Sequence, residues 1–315
     1  MTTPIKIGII GGTGLGEALS LEDGQAIEVD TPFGPPSGPI MQTQWEGVDI
    51  AILHRHGPGH VFNPSTVPYR ANIYALKSLG VTHIIASGAT GSLVEHVRPG
   101  DVVIADQIID KTHKRPNTFY DHAAVHVELA QPFCPVMRQW LLDAARQRFG
   151  FYEPVGRDDP AYRHRRHRGD ETLVHDGGTY VCMEGPAFST RAESLMHQSW
   201  GGQLIGMTVM PEARLAREAE IAYALIALPT DYDCWRPHDP NVGAQALLSE
   251  IIGNLNRATA AGHELIKLAL QDISALQLTP SPAHSALKLA IWSNKGMIRR
   301  DEVERLAVLW GKYFD

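Results

Sequence analysis

Ile226-Ala-Leu-Pro-Thr-Asp-Tyr-Asp-Cys-Trp235 carries an apolar stretch into two aspartates two positions apart. The stretch reads as a strand, and alternate strand residues project to one face, so Asp231 and Asp233 leave its end pointing the same way. Lys6-Ile-Gly-Ile-Ile-Gly-Gly-Thr-Gly-Leu15 is a second apolar run, ending in a glycine-rich turn whose freed N–H groups suit an anion. Strand-like runs fall at 5–10, 50–53, 82–86, 101–106, 179–183, 203–206 and 221–228. Helix-like stretches lie between several of them, the clearest at 67–79, stopped by Gly80. This alternation predicts an α/β fold: a single domain over 1–315, with a twisted, mixed, mostly parallel sheet flanked by helices. Binding residues then belong at the carboxyl ends of the strands.

With 315 residues and 43% hydrophobic composition, the chain can bury one large core, and no composition break divides it. Its formal net charge of −7 argues against a nucleic-acid partner, which needs a basic balance. Cys134, Cys182 and Cys234 are odd in number and far apart, and they read as buried thiols of a reducing compartment. No charged leader precedes an apolar stretch, and no apolar run is long enough for a bilayer, so the expectation is a cytoplasmic protein without a membrane partner. Residues 157–175 are dense in charge and poor in apolar side chains, which predicts an exposed insertion. From Leu247 through Leu270 apolar residues recur at helical spacing, and 286–292 and 303–310 read as further helices of a C-terminal extension.

The glycine turn has the spacing Gly8, Gly11, Gly14, but a dinucleotide fingerprint beginning at Gly12 fails at Glu17. A NAD-binding oxidoreductase would use Glu28 or Asp30 as its acidic residue, and it leaves the paired aspartates unexplained. Thr13 among the glycines favours an anion site, although a tight turn has the same composition. In His54-Arg-His-Gly-Pro-Gly-His60, three histidines raise the question of a metal. No carboxylate or cysteine accompanies them and Arg55 repels a cation, so no metal is expected. Arg55 and His56 better match a phosphate, which a guanidinium grips with two N–H groups; an ordinary surface loop is the alternative.

Ala86-Ser-Gly-Ala-Thr-Gly-Ser-Leu93 reads as a run of small residues after a strand, where Gly88, Ala89 and Gly91 offer backbone N–H groups to an oxyanion. Met183-Glu-Gly-Pro-Ala-Phe-Ser-Thr-Arg191 puts an aromatic face, Phe188, beside the hydroxyl of Ser189, and Gly206-Met-Thr-Val-Met-Pro-Glu212 puts Met207 beside Thr208. Each alone reads equally as core packing. A phosphate-type and a base-type segment in one chain favour an enzyme over a non-catalytic nucleoside-binding protein.

In this order the segments resemble the trimeric purine nucleoside phosphorylase superfamily, and most closely its methylthioadenosine-cleaving family. The likeness is carried by Ile9-Ile-Gly-Gly-Thr-Gly-Leu15, Arg55-His-Gly57, Pro99-Gly-Asp-Val-Val103, Gln131-Pro-Phe-Cys-Pro135, Glu184-Gly-Pro-Ala-Phe-Ser189, Arg191-Ala-Glu-Ser194 and Thr230-Asp-Tyr-Asp-Cys-Trp235. It implies phosphorolysis of S-methyl-5'-thioadenosine to adenine and 5-methylthioribose 1-phosphate, with phosphate as co-substrate and no cofactor. Adenosine, methylthioinosine, inosine or guanosine are the alternative nucleosides.

Carried over, Thr13, Arg55, His56, Gly88, Ala89 and Thr208 hold phosphate. Met207 packs under the ribose, and Phe188, Ser189, Asp231, Tyr232 and Asp233 surround the base. Ala244, Leu247 and a neighbouring subunit's His126 line the 5'-pocket, implying a homotrimer with shared sites. Asp231 is the expected donor near N7, Asp233 the acceptor from the 6-amino group, and Arg55 is expected at the cleft rim. Gly88 and Thr90 replace a threonine and a cysteine of the family, and Ala244 a valine, which implies a wider 5'-pocket.

Overall fold

The computed structural model describes residues 4–12, 24–152, 172–237 and 241–314. The middle of its twelve-stranded sheet is parallel: β1 (Ile7–Gly11) lies between β4 (Val48–His54) and β5 (His83–Ser92), and β12 (Ala222–Asp231) pairs the other edge of β5. β3 (Ile40–Trp45) and β2 (Gln25–Ile27) extend it antiparallel beyond β4. Beyond β12 come β6 (Val102–Ile104), β9 (Leu173–Asp176) and β8 (Gly150–Tyr152). An arm of β7 (Gln107–Asp110), β10 (Thr179–Cys182) and β11 (Leu204–Gly206) joins β5 through β11. All seven strand-like runs of the sequence lie in this sheet.

Period-two alternation divides the apolar side chains between the two faces. Ile10, Leu53, Ile84, Ala86, Tyr223 and Leu225 face one core; Ile9, Ile52, Ile85, Ala224 and Ile226 face the other. The first core is closed by α1 (Tyr69–Ser78) and α4 (Val209–Glu218), through Ile73, Leu76, Ala213 and Leu215. The second is closed by α2 (Pro135–Arg146) and α5 (Ala244–Gln271), through Met137, Leu141, Ala258 and Leu265. The remaining α-helices among the described residues are α3 (Arg191–Ser199), α6 (Ser274–Leu278), α7 (Arg300–Arg305) and α8 (Ala307–Trp310). Among the described residues, no helix is long and apolar enough to cross a membrane.

Three expectations are corrected. The small residues read as following the strand belong to it, because β5 runs on through Ser92, paired with β12 as far as Gly91. The insertion read over 157–175 lies largely outside the described residues, but its end is a strand: His175 of β9 is buried and its Nε2 lies 2.8 Å from an Asp101 carboxylate oxygen. Residues 286–292 form no helix. Leu287 N–H donates to Glu220, Trp292 N–H donates to Ala124 O, and Ile291 bridges to Val125, so neighbouring segments take the backbone groups that a helix would use internally.

His83 starts β5, in register with Ile7 and Ala222, and its Nε2 has no hydrogen-bond partner among the described residues. Burial, with the neighbouring His284 adding, lowers its pKa to about 3. The unfolded chain takes up a proton near pH 6.5 that the fold excludes, so stability is lost as pH falls from about 6.5 towards 3. We expect the thermal midpoint to drop between pH 7 and pH 5 in about this window, and the drop to shrink in His83→Gln. Equal slopes for the two proteins would remove His83 as a source.

Candidate active site

The site follows from how β5 shares one edge. As far as Ala86 that edge pairs with β1, which ends one residue later at Gly11; Gly91 and Ser92 then pair with β11, which runs the opposite way. From Ser87 to Thr90 neither strand pairs with it, and a cleft opens at the carboxyl end of the central strands. Ser87 turns its carbonyl into this gap, accepting from Arg55 Nη1 at 2.8 Å. Ala89, two residues on, turns its N–H to the same edge by strand alternation. Gly88, Ala89 and Gly91 are all half-buried along it.

Arg55 follows β4 and is not at a rim. It is 1% exposed, its Nε and Nη2 donate to the two Glu212 oxygens at 2.8 and 2.9 Å, and Tyr223 donates to Glu212 Oε1 at 2.8 Å. Burial alone would lower the Arg55 pKa, but the paired carboxylate outweighs it and holds the guanidinium above its ordinary value. Nη1 lies 2.7 Å from where a Gly12 Cβ would stand, so this glycine makes room for the guanidinium, whereas a Gly88 Cβ would stand in ordinary contact 3.9 Å away. A Gly88 Cβ would also lie 3.6 Å from the Thr208 hydroxyl, which puts Thr208 on the opposite wall.

His56 lines a cavity of about 540 Å3 at the end of β1 and β4, together with Gly11, Gly12, His54 and His60. Its Nδ1 donates to Phe62 O at 2.8 Å, and burial, with Arg55 and His60 adding, lowers its pKa to about 4. The ring is therefore neutral at pH 7, and its Nε2 accepts; a phosphate hydroxyl is a fitting donor. Thr13 lies outside the described residues.

At the far end of the gap β12 carries a register shift between Pro229 and Asp231, and the chain turns sharply there. Asp231 accepts from Asp233 N–H and from the Thr230 hydroxyl, each at 2.7 Å. Asp233 has φ 48°, in the left-handed region, and burial raises its pKa, with the Asp231 charge adding. Burial thus favours a proton on Asp233. A Cβ on Gly91 would come within 3.3 Å of Asp231 Oδ1 and 3.1 Å of Asp233 Cβ, so the glycine lets the pair close over the strand.

Ser189 lies beside this pair, its carbonyl accepting from Cys234 Sγ at 3.3 Å. Phe188 is 85% exposed, a ring without cover. Met207 packs its sulfur against Gly185. The Tyr232 ring stacks under Arg236 and, with Asp231 and Leu247, lines a second cavity of about 410 Å3. Ala244 is exposed and does not line it. His126 lies apart from all these residues on an exposed edge, its ring 4.9 Å from Trp292.

Sequence reading missed the residues that hold the walls in place. Arg115 is buried and donates to Met207 O, Met210 O and Glu184 O, each at 2.6 Å, tying the segments that carry Met207 and Phe188. Glu184 accepts from Ser65 and from His113 N–H; these bonds and Arg115 overcome burial and hold its pKa at about 2. Arg115 stands in Lys114-Arg-Pro116, which carries no signal of burial. Glu212 could have been sought only once the burial of Arg55 was known, since a buried guanidinium needs an anionic partner.

Residues 6–271 match the family model of the phosphorylase superfamily. S-methyl-5'-thioadenosine phosphorylase of Prochlorococcus marinus is 40% identical over 313 residues, covering 98% of this chain and 92% of that one. A methylthioadenosine phosphorylase from an antarctic soil metagenomic library superimposes with TM-score 0.81 at 41% identity, over 98% of this chain and 99% of that one. The methylthioadenosine phosphorylase of Schistosoma mansoni, solved with adenine, gives TM-score 0.75 at 39% identity, over 86% and 92%. The chain belongs to the phosphorylase superfamily, and within it to the family of these methylthioadenosine phosphorylases.

Removing one partner of a buried ion pair strands the other charge and costs about 3–5 kcal/mol. Arg55→Ala is therefore expected to lose stability on that order as well as phosphate affinity. A urea midpoint equal to that of the wild type would return Arg55 to the surface.

Proposed function

We propose that this chain phosphorolyses S-methyl-5'-thioadenosine, releasing adenine and 5-methylthioribose 1-phosphate. The observation that carries the reading is the open edge of β5, which has the Arg55 guanidinium and Thr208 at one end and the Asp231–Asp233 pair at the other. Phosphate lies between Arg55, His56, the Ala89 N–H and the Thr208 hydroxyl, with Thr13 completing the cradle, and Met207 lies under the ribose. An oxygen of phosphate bonds to the anomeric carbon as its bond to N9 breaks. The electron pair leaves with the purine, which takes up at N7 a proton given by the Asp231 carboxyl. Asp231 stands at N7, Asp233 accepts from the 6-amino group, and Phe188 covers the ring beside Ser189. Phosphate is the only co-substrate, and no cofactor takes part. The relatives named above act on this nucleoside or were solved with its base.

Adenine release from methylthioadenosine, adenosine, methylthioinosine and inosine, with and without phosphate, tests the reading. Release that depends on phosphate and is fastest for methylthioadenosine is expected; release without phosphate would refute it. Because an amide donates where a carboxylate only accepts, Asp233→Asn is expected to move the ratio of kcat/KM towards 6-oxopurines, and an unchanged ratio removes Asp233 from position 6 of the base.

The assembly in this proposal is a homotrimer. The exposed His126 packs its ring on Trp292, which is 72% exposed, and its backbone N–H donates to Ala290 O beside the exposed Leu289; in the proposed trimer that surface covers a neighbour's 5'-pocket. His126→Ala and Asp231→Ala, each impaired alone, are expected to regain activity when assembled together, because some mixed interfaces hold both intact groups. Mixed assemblies no more active than the mean of their parents would refute the shared site.

A further inference from the structure

Helix α3 is patterned the wrong way round for packing. A surface helix normally buries an apolar stripe, yet the buried side chains of α3 are Ser194 and His197, while Leu195 on its outer side is 47% exposed. Its start is fixed by a capping box between Thr190 and Glu193, so the helix is held firmly on the segment that carries Phe188 and Ser189. Its inner face packs on the turn Asp233–Trp235. Three buried polar atoms gather there without completing a hydrogen bond among the described residues: Asp233 Oδ2, Ser194 Oγ and His197 Nδ1. Buried polar atoms without partners are costly, so these three call for one another or for a ligand.

We propose that Ser194 and His197 are positioning residues for Asp233: they set when its carboxyl carries a proton, and with it the pH dependence of the choice between 6-amino and 6-oxo purines. The proposal rests on the reading of Asp233 as the group facing position 6. As a carboxylate Asp233 accepts from a 6-amino group; as an acid it donates to a 6-oxo group. Burial and the Asp231 charge favour the acid, while Ser194, the Cys234 N–H and a charged His197 favour the carboxylate. For His197, burial is the largest influence and holds its pKa below the ordinary value, with Lys111 adding, while Glu193 and Asp233 support the charge, so the ring charges only as the medium becomes acid. Gly91 and Ile205, which close in from β5 and β11, bring no titratable group. An imidazolium at position 197 thus keeps Asp233 an acceptor as the medium is acidified.

The test is kcat/KM for methylthioadenosine and methylthioinosine from pH 5 to pH 8 in the wild type, His197→Phe, His197→Asn and Asp233→Asn. In His197→Phe the amino-to-oxo ratio is expected to be lower than in the wild type by at least about threefold at pH 5.5, and to agree within about twofold at pH 8. His197→Asn, polar but without charge, should match His197→Phe in acid and the wild type at pH 8. Wild-type behaviour of either variant in acid, or a uniform fall at every pH, overturns the proposal while leaving the role of Asp233 in place. A ratio unmoved in Asp233→Asn overturns that role itself, and this inference with it.

Discussion

The buried pair of Arg55 and Glu212 is the constraint on which the site depends. It joins the end of β4 to α4, and through Tyr223 to β12, so three elements that meet at the cleft are tied by one carboxylate. Taking both charges out of water is expensive, and the cost is offset only by the two-pronged geometry and the extra donor from Tyr223. The result is a guanidinium that cannot turn. Of its five N–H groups three are engaged among the described residues, and the cleft is shaped around the direction of those that remain.

The same economy governs the opposite wall. Arg115 is buried among carbonyl oxygens rather than carboxylates alone, and it fixes backbone positions on both sides of Met207. Neither arginine has to touch a ligand to be indispensable, since each sets where the neighbouring chain ends. Glycines finish the work: at 12 and 91 the absent side chain leaves room for a guanidinium and for a pair of carboxylates.

Much of this was legible in the sequence because strand alternation and glycine turns are local signals. The strands around β1, β4, β5 and β12 and the helix at Tyr69–Ser78 emerge from apolar periodicity alone. What escaped was non-local. The run of small residues after Ala86 looks like a loop because loops favour glycine, yet here β12 alongside keeps it extended. The burial of Arg55 could not be read locally, as its partner lies 157 positions away. The stretch 286–292 has helical spacing, but its backbone is claimed by residues 124 and 125 on another part of the chain.

The shared edge of β5 also acts as a ruler. Four steps separate Ser87, which faces the guanidinium, from Gly91, which faces the aspartates. At about 3.3 Å per residue these ends stand about 13 Å apart along the strand. That length is set by the covalent rise of extended backbone, which neither loop motion nor side-chain rotation changes. A molecule that binds both ends must match it, so selection by length is built into the main chain, while selection by chemical group is left to the side chains.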